Sequence, residues 1–554
     1  MTGLIYWLNP GGMFFKTSGS YRKTNKTVND FIELGPDKAL INGINAPAPQ
    51  AGQLILYNSK FGYLTPKGSG RFELKVEANR IIGISVGQTE IPPGGFVISG
   101  GGKAGDFLKK NSGMGRYVTL SGKIVQIREN PQVIYATLST EIYQTNVLYS
   151  KVSGNHEYQW NKAVPFLLKA NQYFNEVIQS ASQASIENDK YYELLQKASD
   201  SLEKANLNLI RTPDKEVRGV IYRLNSRDPQ VIKSFLDNMV ARKFNTLFIE
   251  TWYHGYTIYP SKIADQNPMF RGMDPLEIII KEAHKRGLSV ICWSESFYIG
   301  QSEPDIKWKH NDWMGRNRQG GFLAMKDDKS QFLCPSNDSV RQYLLDVNME
   351  MASKYHIDGI VLDFLRYPDE MRVEEGLCYD SSCRAKFKAQ YHYDPILIKN
   401  SDDKKITQWK KFREDEVTKF VAENYKVMKK NNPHLSVGAF VFSRTDTLGQ
   451  NWQEWLNKDL LDYYAVMVLS QSCRDYRDGL SMFKRYSTPR KKIIAGIYYQ
   501  ADINEKELSS IINVVRNENI EGVFFSSDKI TSDNKRDFYD ESVFWKKASL
   551  PKGL

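Results

Sequence analysis

Between residues 217 and 530 the chain alternates short apolar runs with longer stretches in which apolar side chains recur every three or four positions. The runs fall at 218–224, 246–251, 289–293, 359–365, 435–442, 463–469, 492–499 and 522–526. Continuous apolar runs of this length read as buried parallel strands. The helical-period segments at 229–243, 275–286, 340–354, 414–430, 454–461 and 505–517 read as the crossovers between them. Eight such β–α steps predict an α/β fold, the (β/α)8 TIM barrel, whose common size is about 250 residues with additions in the loops. An open doubly wound sheet is the competing architecture. It calls for a glycine-rich phosphate loop after an early strand, and 218–228 holds none. Two connections, 296–356 and 366–434, are much longer than a plain barrel needs. Both leave the carboxyl end of a strand, the face on which barrel enzymes build their sites, and so they are expected to wall a cleft.

Before residue 217 the pattern is different. Short alternating runs at 53–57, 71–76 and 81–86, separated by turn residues, predict a β-rich accessory domain over 1–150. Of the 38 glycines, 21 lie there. In 157–207 Ala, Leu, Gln, Glu and Lys dominate, and Phe166, Leu167, Ala170, Phe174 and Val177 recur at helical spacing. Tyr192, Leu194, Leu195, Ala198 and Leu202 repeat that spacing after a polar break at 182–189, which predicts a helical hairpin linker over 151–214. The barrel is then expected over 215–535, followed by a C-terminal tail at 536–554.

Composition adds boundaries rather than chemistry. With 41% hydrophobic and 25% charged residues, the 554-residue chain fits a folded multi-domain protein and excludes a disordered or fibrous one. No apolar stretch approaches the roughly 18 residues of a membrane span. Residues 1–15 lack the ordered blocks of a secretory signal, so any export signal is expected to lie outside this sequence. The net charge of +11 is mild and favours anionic partners without requiring nucleic acid. Residues 1–150 hold 16 Lys+Arg against 9 Asp+Glu, which favours an anionic partner for that domain.

Candidate chemistry gathers at the expected strand ends. The fourth run closes as Asp358-Gly-Ile-Val-Leu-Asp363, followed by Phe364, Leu365, Arg366 and Tyr367. A carboxylate at the end of an apolar run is partly desolvated, which raises its pKa and suits proton donation to a leaving oxygen. Arg366 and Tyr367 could bind substrate hydroxyls or fix that carboxylate, while the alternative is that Asp363 caps a helix or pairs with Arg366 as a structural salt bridge. The second run supplies Glu250, Trp252 and His254, and the third Trp293 and Glu295. Acids mixed with aromatic rings suit a carbohydrate cleft, and glycoside cleavage uses a pair of carboxylates. Asp363, Glu250 and Glu295 are therefore the expected catalytic residues, and Trp252, His254, Trp293, Arg366, Tyr367 and Asp528 the expected substrate contacts. Arg444 is a second-rank lining residue.

Other motifs point elsewhere or nowhere. The segment with Trp308, Lys309, His310, Trp313, Arg316 and Arg318 mixes rings and cations in the way of a lid, an anionic-glycan site or a single-stranded nucleic-acid site. Nucleic acid is nevertheless not expected as a partner. Cys378 and Cys383 are five positions apart, suiting a local disulfide or two free thiols. With His392 the only further ligand in view, no metal site is expected. Cys334 has no evident neighbouring base and is not expected to be a nucleophile. No His-Glu-x-x-His, Walker A or Gly-x-Ser-x-Gly pattern occurs, which removes the usual support for metalloprotease, nucleotide hydrolase and esterase readings.

Val217-Arg-Gly-Val220, Phe244-Asn-Thr-Leu-Phe248 with His254-Gly255 and Tyr259-Pro-Ser261, Asp358 through Asp363 with Arg366-Tyr367-Pro368, and Cys334-Pro-Ser-Asn337 with Val340-Arg341 together resemble the glycosyl hydrolase-like 10 barrel family. The resemblance spans about residues 215–530. Ile41-Asn-Gly-Ile-Asn45 and residues 92–106 resemble a β-rich companion domain found beside some of these barrels. The chain departs from the pattern at Glu250, Trp252 and Glu295, where many relatives carry Gln, Arg and Asn. The resemblance implies a bacterial glycoside hydrolase acting on peptidoglycan-like strands, without a cofactor, in the cell envelope or outside the cell. A non-catalytic glycan-binding protein on the same scaffold is the alternative.

Overall fold

The structure, a computed structural model, describes residues 13–15, 54–58, 63–66, 71–121, 124–128, 131–181, 189–323, 330–368, 375–442, 449–468, 470, 473–485, 492–500, 503, 505–518, 520–533, 535 and 538–552. Arg444 and residues 41–45 lie outside them. The chain divides into two compact units, Met1–Leu209 and Ile210–Leu554.

In the second unit the eight apolar runs become eight parallel strands: β1 (Val217–Tyr222), β2 (Thr246–Tyr253), β3 (Ser289–Ser294), β4 (Gly359–Leu362), β5 (Ser436–Phe442), β6 (Tyr463–Val468), β7 (Lys492–Ile497) and β8 (Gly522–Phe525). Each pairs with its successor, and β8 pairs with β1, so the sheet closes into a barrel. Closure leaves no strand edge exposed, and the crossover helices cover the outer face, which explains runs buried on both sides. Inside, Val217, Phe248, Ile291, Val361, Phe440, Ala465, Ile494 and Phe524 form one apolar cluster. Rings fit there because glycines stand opposite them. A Cβ on Gly219 would lie 2.4 Å from the Phe248 ring, one on Gly438 2.3 Å from Tyr463, and one on Gly496 2.5 Å from Phe524.

Helices begin where the sequence supplies a cap. Asp228 accepts from the Gln230 N–H and Pro229 opens the helix Pro229–Ala241, and Asp274 with Pro275 does the same for Pro275–Lys285. The long connection after β3 contains a two-stranded ribbon, Tyr298–Gly300 with Gln331–Phe332, before the helix Asp338–Lys354. The connection after β4 carries the helices Ser381–Tyr391 and Asp403–Asn431. Residues 538–549, within the expected tail, pack against the amino-terminal end of the barrel. Phe544 sits edge-on to Phe244 and Phe525, and Glu216 donates its N–H to the Ser549 carbonyl at 3.0 Å.

The first unit holds an antiparallel sheet whose strands run in the spatial order 13–15, 124–128, 117–121, 80–85, 71–77, 95–101, 54–58. Its helices are Lys103–Lys110, Pro131–Val152, Trp160–Ala181 and Asp189–Asn208. The last two are the expected hairpin. Pro131–Val152 departs from the β-rich reading of 1–150, because Ile134, Leu138 and Ile142 recur at helical spacing and bury against Leu167, Phe174 and Leu195.

Candidate active site

Alternation along the strands carries the inner face of the barrel upward. Two residues beyond Ile221, Phe248, Ile291 and Val361 stand Arg223, Glu250, Trp293 and Asp363. These four positions lie toward the carboxyl side of the first four strands, with Trp293 itself part of the apolar core beneath the acids. Glu295 lies two positions past Trp293, and its backbone N–H donates to the Trp252 carbonyl at 3.1 Å.

Arg223 ties two of the acids together. Its Nη2 donates to Glu250 Oε1 at 2.7 Å and to Glu295 Oε1 at 3.5 Å, and its Nε donates to Glu250 Oε2. Glu250 and Glu295 are 1% and 2% exposed, whereas the Arg223 side chain is 49% exposed. Burial raises the pKa of both glutamates. For Glu295, burial, the Glu250 charge and the Asp363 charge together raise the pKa well above the ordinary glutamate value, against the pull of Arg223. At Glu250 the Arg223 hydrogen bond and charge oppose the effect of burial. The guanidinium also lies 4.0 Å from the Tyr253 ring centroid and 5.7 Å from that of Trp293.

Asp363 receives the Phe364 N–H at Oδ1 (2.6 Å) and the Trp293 indole N–H at Oδ2 (3.1 Å). Burial pushes its carboxyl up to about 6, against the opposing pull of the Phe364 N–H, Arg366 and the Trp293 indole. It is therefore an acid poised to change protonation near neutrality.

Rings form an arc beside these acids. Tyr253 stacks on His254 at 3.8 Å, His254 meets Tyr298 edge-on at 5.2 Å, and Tyr298 stacks on Phe364 at 4.2 Å. Arg366 lies 4.8 Å from the Phe364 centroid at the far end. His254, Ser296 and Phe364, just past β2, β3 and β4, all have left-handed backbone, with φ of 51°, 34° and 47°. Strain of this kind costs about 1–3 kcal/mol per residue and gathers where a site imposes it. Burial and the Arg223 charge lower the His254 pKa to about 4, so its ring is neutral, with Nδ1 3.2 Å from Ser302 Oγ.

A barrel with acids at its strand ends narrows the family, and comparison with known proteins decides it. The family model described as glycosyl hydrolase-like 10 matches residues 216–501. The chain belongs to the glycosyl hydrolase-like 10 family. Glycosyl hydrolase DigH of Escherichia coli K12 is 24% identical over 157 residues, covering 24% of this chain and 34% of that protein. Glycosyl hydrolase YngK of Bacillus subtilis is 22% identical over 241 residues, covering 40% of this chain and 43% of YngK. The matches thus span less than half the length of either relative. Among solved structures, a Paenibacillus thiaminolyticus α-L-fucosidase is similar at 15% identity and a TM-score of 0.42, covering 59% of this chain and 49% of that one.

Within this glycosyl hydrolase-like 10 barrel, not every expected residue reaches the group. Glu250, Glu295, Asp363 and Trp293 do, His254 joins the aromatic arc, and Arg366 flanks it. Trp252 does not. The β2–β3 register pairs Trp293 with Glu250 but Ser294 with Trp252, so Thr251 forms a bulge that turns Trp252 away. Its ring is 1% exposed, packs edge-on to Tyr343, and donates its indole N–H to the Ser296 carbonyl. Tyr367 is likewise 1% exposed, with Arg413 4.9 Å from its ring centroid and its hydroxyl 3.4 Å from Ser336 Oγ. Asp528 sits in the turn Asp528–Thr531 after β8 and acts on Tyr222. Trp313 stacks on His310, Arg316 donates to the Gly320 carbonyl within its own loop, and Arg318 donates to the Ile398 carbonyl of the connection after β4. Arg223, Tyr298 and Phe364 are the residues that sequence reasoning missed. The signal for Arg223 was present: it is two positions beyond an inward Ile221.

Proposed function

We propose that the protein is a glycoside hydrolase whose general acid is Asp363. The observation that carries this reading is the convergence, on one barrel mouth, of Asp363 with the Arg223–Glu250–Glu295 group beside an arc of rings suited to sugar faces. Protonated Asp363 donates to the leaving glycosidic oxygen. Glu250 is the partner carboxylate, held by Arg223 at the barrel mouth where positive charge develops on the sugar ring. Tyr253, His254, Tyr298 and Phe364 position the sugar, with Arg223 and Arg366 at the two ends.

The substrate we propose is a glycan, a class supported by the family and by relatives named glycosyl hydrolases, and within it a peptidoglycan-like strand in the cell envelope or outside the cell, as the sequence resemblance implies. The basic residues of 1–150 would hold the chain to an anionic wall polymer. Incubation with purified peptidoglycan tests the central reading: wild type releases new reducing ends and Asp363→Asn does not. The near-complete burial of both glutamates behind Arg223 favours a second reading, a non-catalytic glycan-binding protein on the same scaffold. Binding of the glycan by wild type with no reducing ends released establishes that reading instead.

A further inference from the structure

Three sulfurs and a carboxylate meet between the two long connections that leave β3 and β4. Cys334 precedes the helix Asp338–Lys354, while Cys378, Asp380 and Cys383 lie at the start of Ser381–Tyr391. All four are buried, and their ligand atoms lie within 4.8 Å of one another. Cys334 Sγ is 4.0 Å from Cys378 Sγ. Tetrahedral zinc with Zn–S bonds of about 2.3 Å needs sulfurs about 3.8 Å apart. Cys378 and Cys383 are joined as a disulfide in this structure, and Cys334 is a free thiol.

Two features around the sulfurs point to a charged ligand set rather than an inert core. Asp380 is 4% exposed; its Oδ1 accepts from the Cys383 N–H at 3.0 Å, and its carboxylate also faces the Cys334 thiol. Two buried hydroxyls also face the sulfurs. Ser336 Oγ is 3.2 Å from Cys378 Sγ and 3.4 Å from Cys383 Sγ, and Tyr367 Oη is 3.5 Å from Cys378 Sγ. A disulfide sulfur is a poor acceptor, whereas a metal-bound thiolate is a good one, and hydroxyls in this position are the outer-shell partners that thiolate sites use.

We propose that Cys334, Cys378, Cys383 and Asp380 bind one zinc ion when the Cys378–Cys383 bond is reduced. A reductant of the dithiol or phosphine class supplies two electrons, the S–S bond breaks, and each sulfur takes a proton. Zinc then displaces the three thiol protons to solvent and takes Asp380 as its fourth ligand. Bound zinc joins the walls that follow β3 and β4. It also touches Tyr367, four residues past Asp363, through Cys378. The disulfide closes only a five-residue separation within one wall. The same two sulfurs thus serve either as a local staple or as part of a clip between both walls.

The test uses the full chain, reduced anaerobically with a phosphine and titrated with Co2+ and then Zn2+. The expected result is one Co2+ per chain, with a sulfur-to-cobalt charge-transfer band and the visible bands of a tetrahedral site, bleached by Zn2+. Affinity should fall at least about tenfold in disulfide-intact wild type and in Cys334→Ser, and stay unchanged in Cys473→Ser. The disulfide-intact arm keeps the test valid should Cys334→Ser fail to fold. A reduced wild type without the charge-transfer band overturns the proposal, as does a folded Cys334→Ser that binds Co2+ like wild type.

Discussion

The Trp293 indole N–H donates to Asp363 Oδ2 at 3.1 Å, bridging the carboxyl ends of neighbouring strands β3 and β4. A donor at that oxygen favours the charged carboxylate, so it holds the pKa of the proposed acid lower than burial alone would. Trp293→Phe removes the donor and keeps most of the ring. The basic limb of the pH–rate profile should then move up by about one pH unit, since a hydrogen bond to a charged group is worth about 1.5 kcal/mol and one pK unit about 1.4. Initial rates of reducing-end release across pH 4–9 provide the check.

Asp363→Asn should lower turnover by about 10²–10⁴-fold, the usual contribution of a positioned acid, while glycan binding survives. The same substitution has a stability signature. Because Asp363 is raised from 3.8 to about 6 on folding, the folded chain binds its proton more tightly than the unfolded chain. Its contribution is fully present below the unfolded value and is lost as pH rises through the folded one. Relative to wild type, the Asn variant should therefore gain thermal stability between pH 4 and pH 7, as read from paired melting curves.

Trp252→Phe separates packing from substrate contact. The buried ring meets Tyr343 and the Ser296 carbonyl, so a loss of about 1–2 kcal/mol in denaturant midpoints is expected, from the lost hydrogen bond and volume. The KM for a soluble oligosaccharide should stay unchanged. Tyr298→Ala, which breaks the aromatic arc, should raise KM.

Gly219→Ala places a Cβ 2.4 Å from the Phe248 ring, within the apolar layer beneath Glu250. Overpacking of this kind costs about 1–3 kcal/mol. Urea melts should show the loss, with the slope of the transition unchanged.

Retention of the full chain on a wall fraction rich in anionic polymer should fall as salt rises from low ionic strength to above physiological levels, because exposed charges are screened over about 8–10 Å. Turnover of a neutral soluble oligosaccharide should change less over the same range. Salt-insensitive retention would remove the role proposed for the basic residues of 1–150.

The barrel was legible because its evidence is local. A strand buried on both faces must be a continuous apolar run, and a crossover helix must repeat every 3.6 residues, so eight alternations point to a closed parallel cylinder. Asp363 was legible for a related reason, as a lone acid ending such a run. The helix Pro131–Val152 is hidden from a glycine count over 1–150, because all 21 glycines lie at or before residue 122.

What the chain order alone determined, then, was the number of strands, their order and the acids at their ends. Which way those ends face was decided by contacts between strands. One bulge at Thr251 turned Trp252 into the packing beneath Tyr343, and Tyr367 went to a buried sulfur cluster rather than the cleft. Arg223 found Glu250 across 27 positions of sequence, and Cys334 came within 4.0 Å of Cys378 across 44. Periodicity fixes which face of an element is buried. It carries no information on which distant side chain completes a charge or a ligand set, because that depends on the register and curvature of the closed sheet.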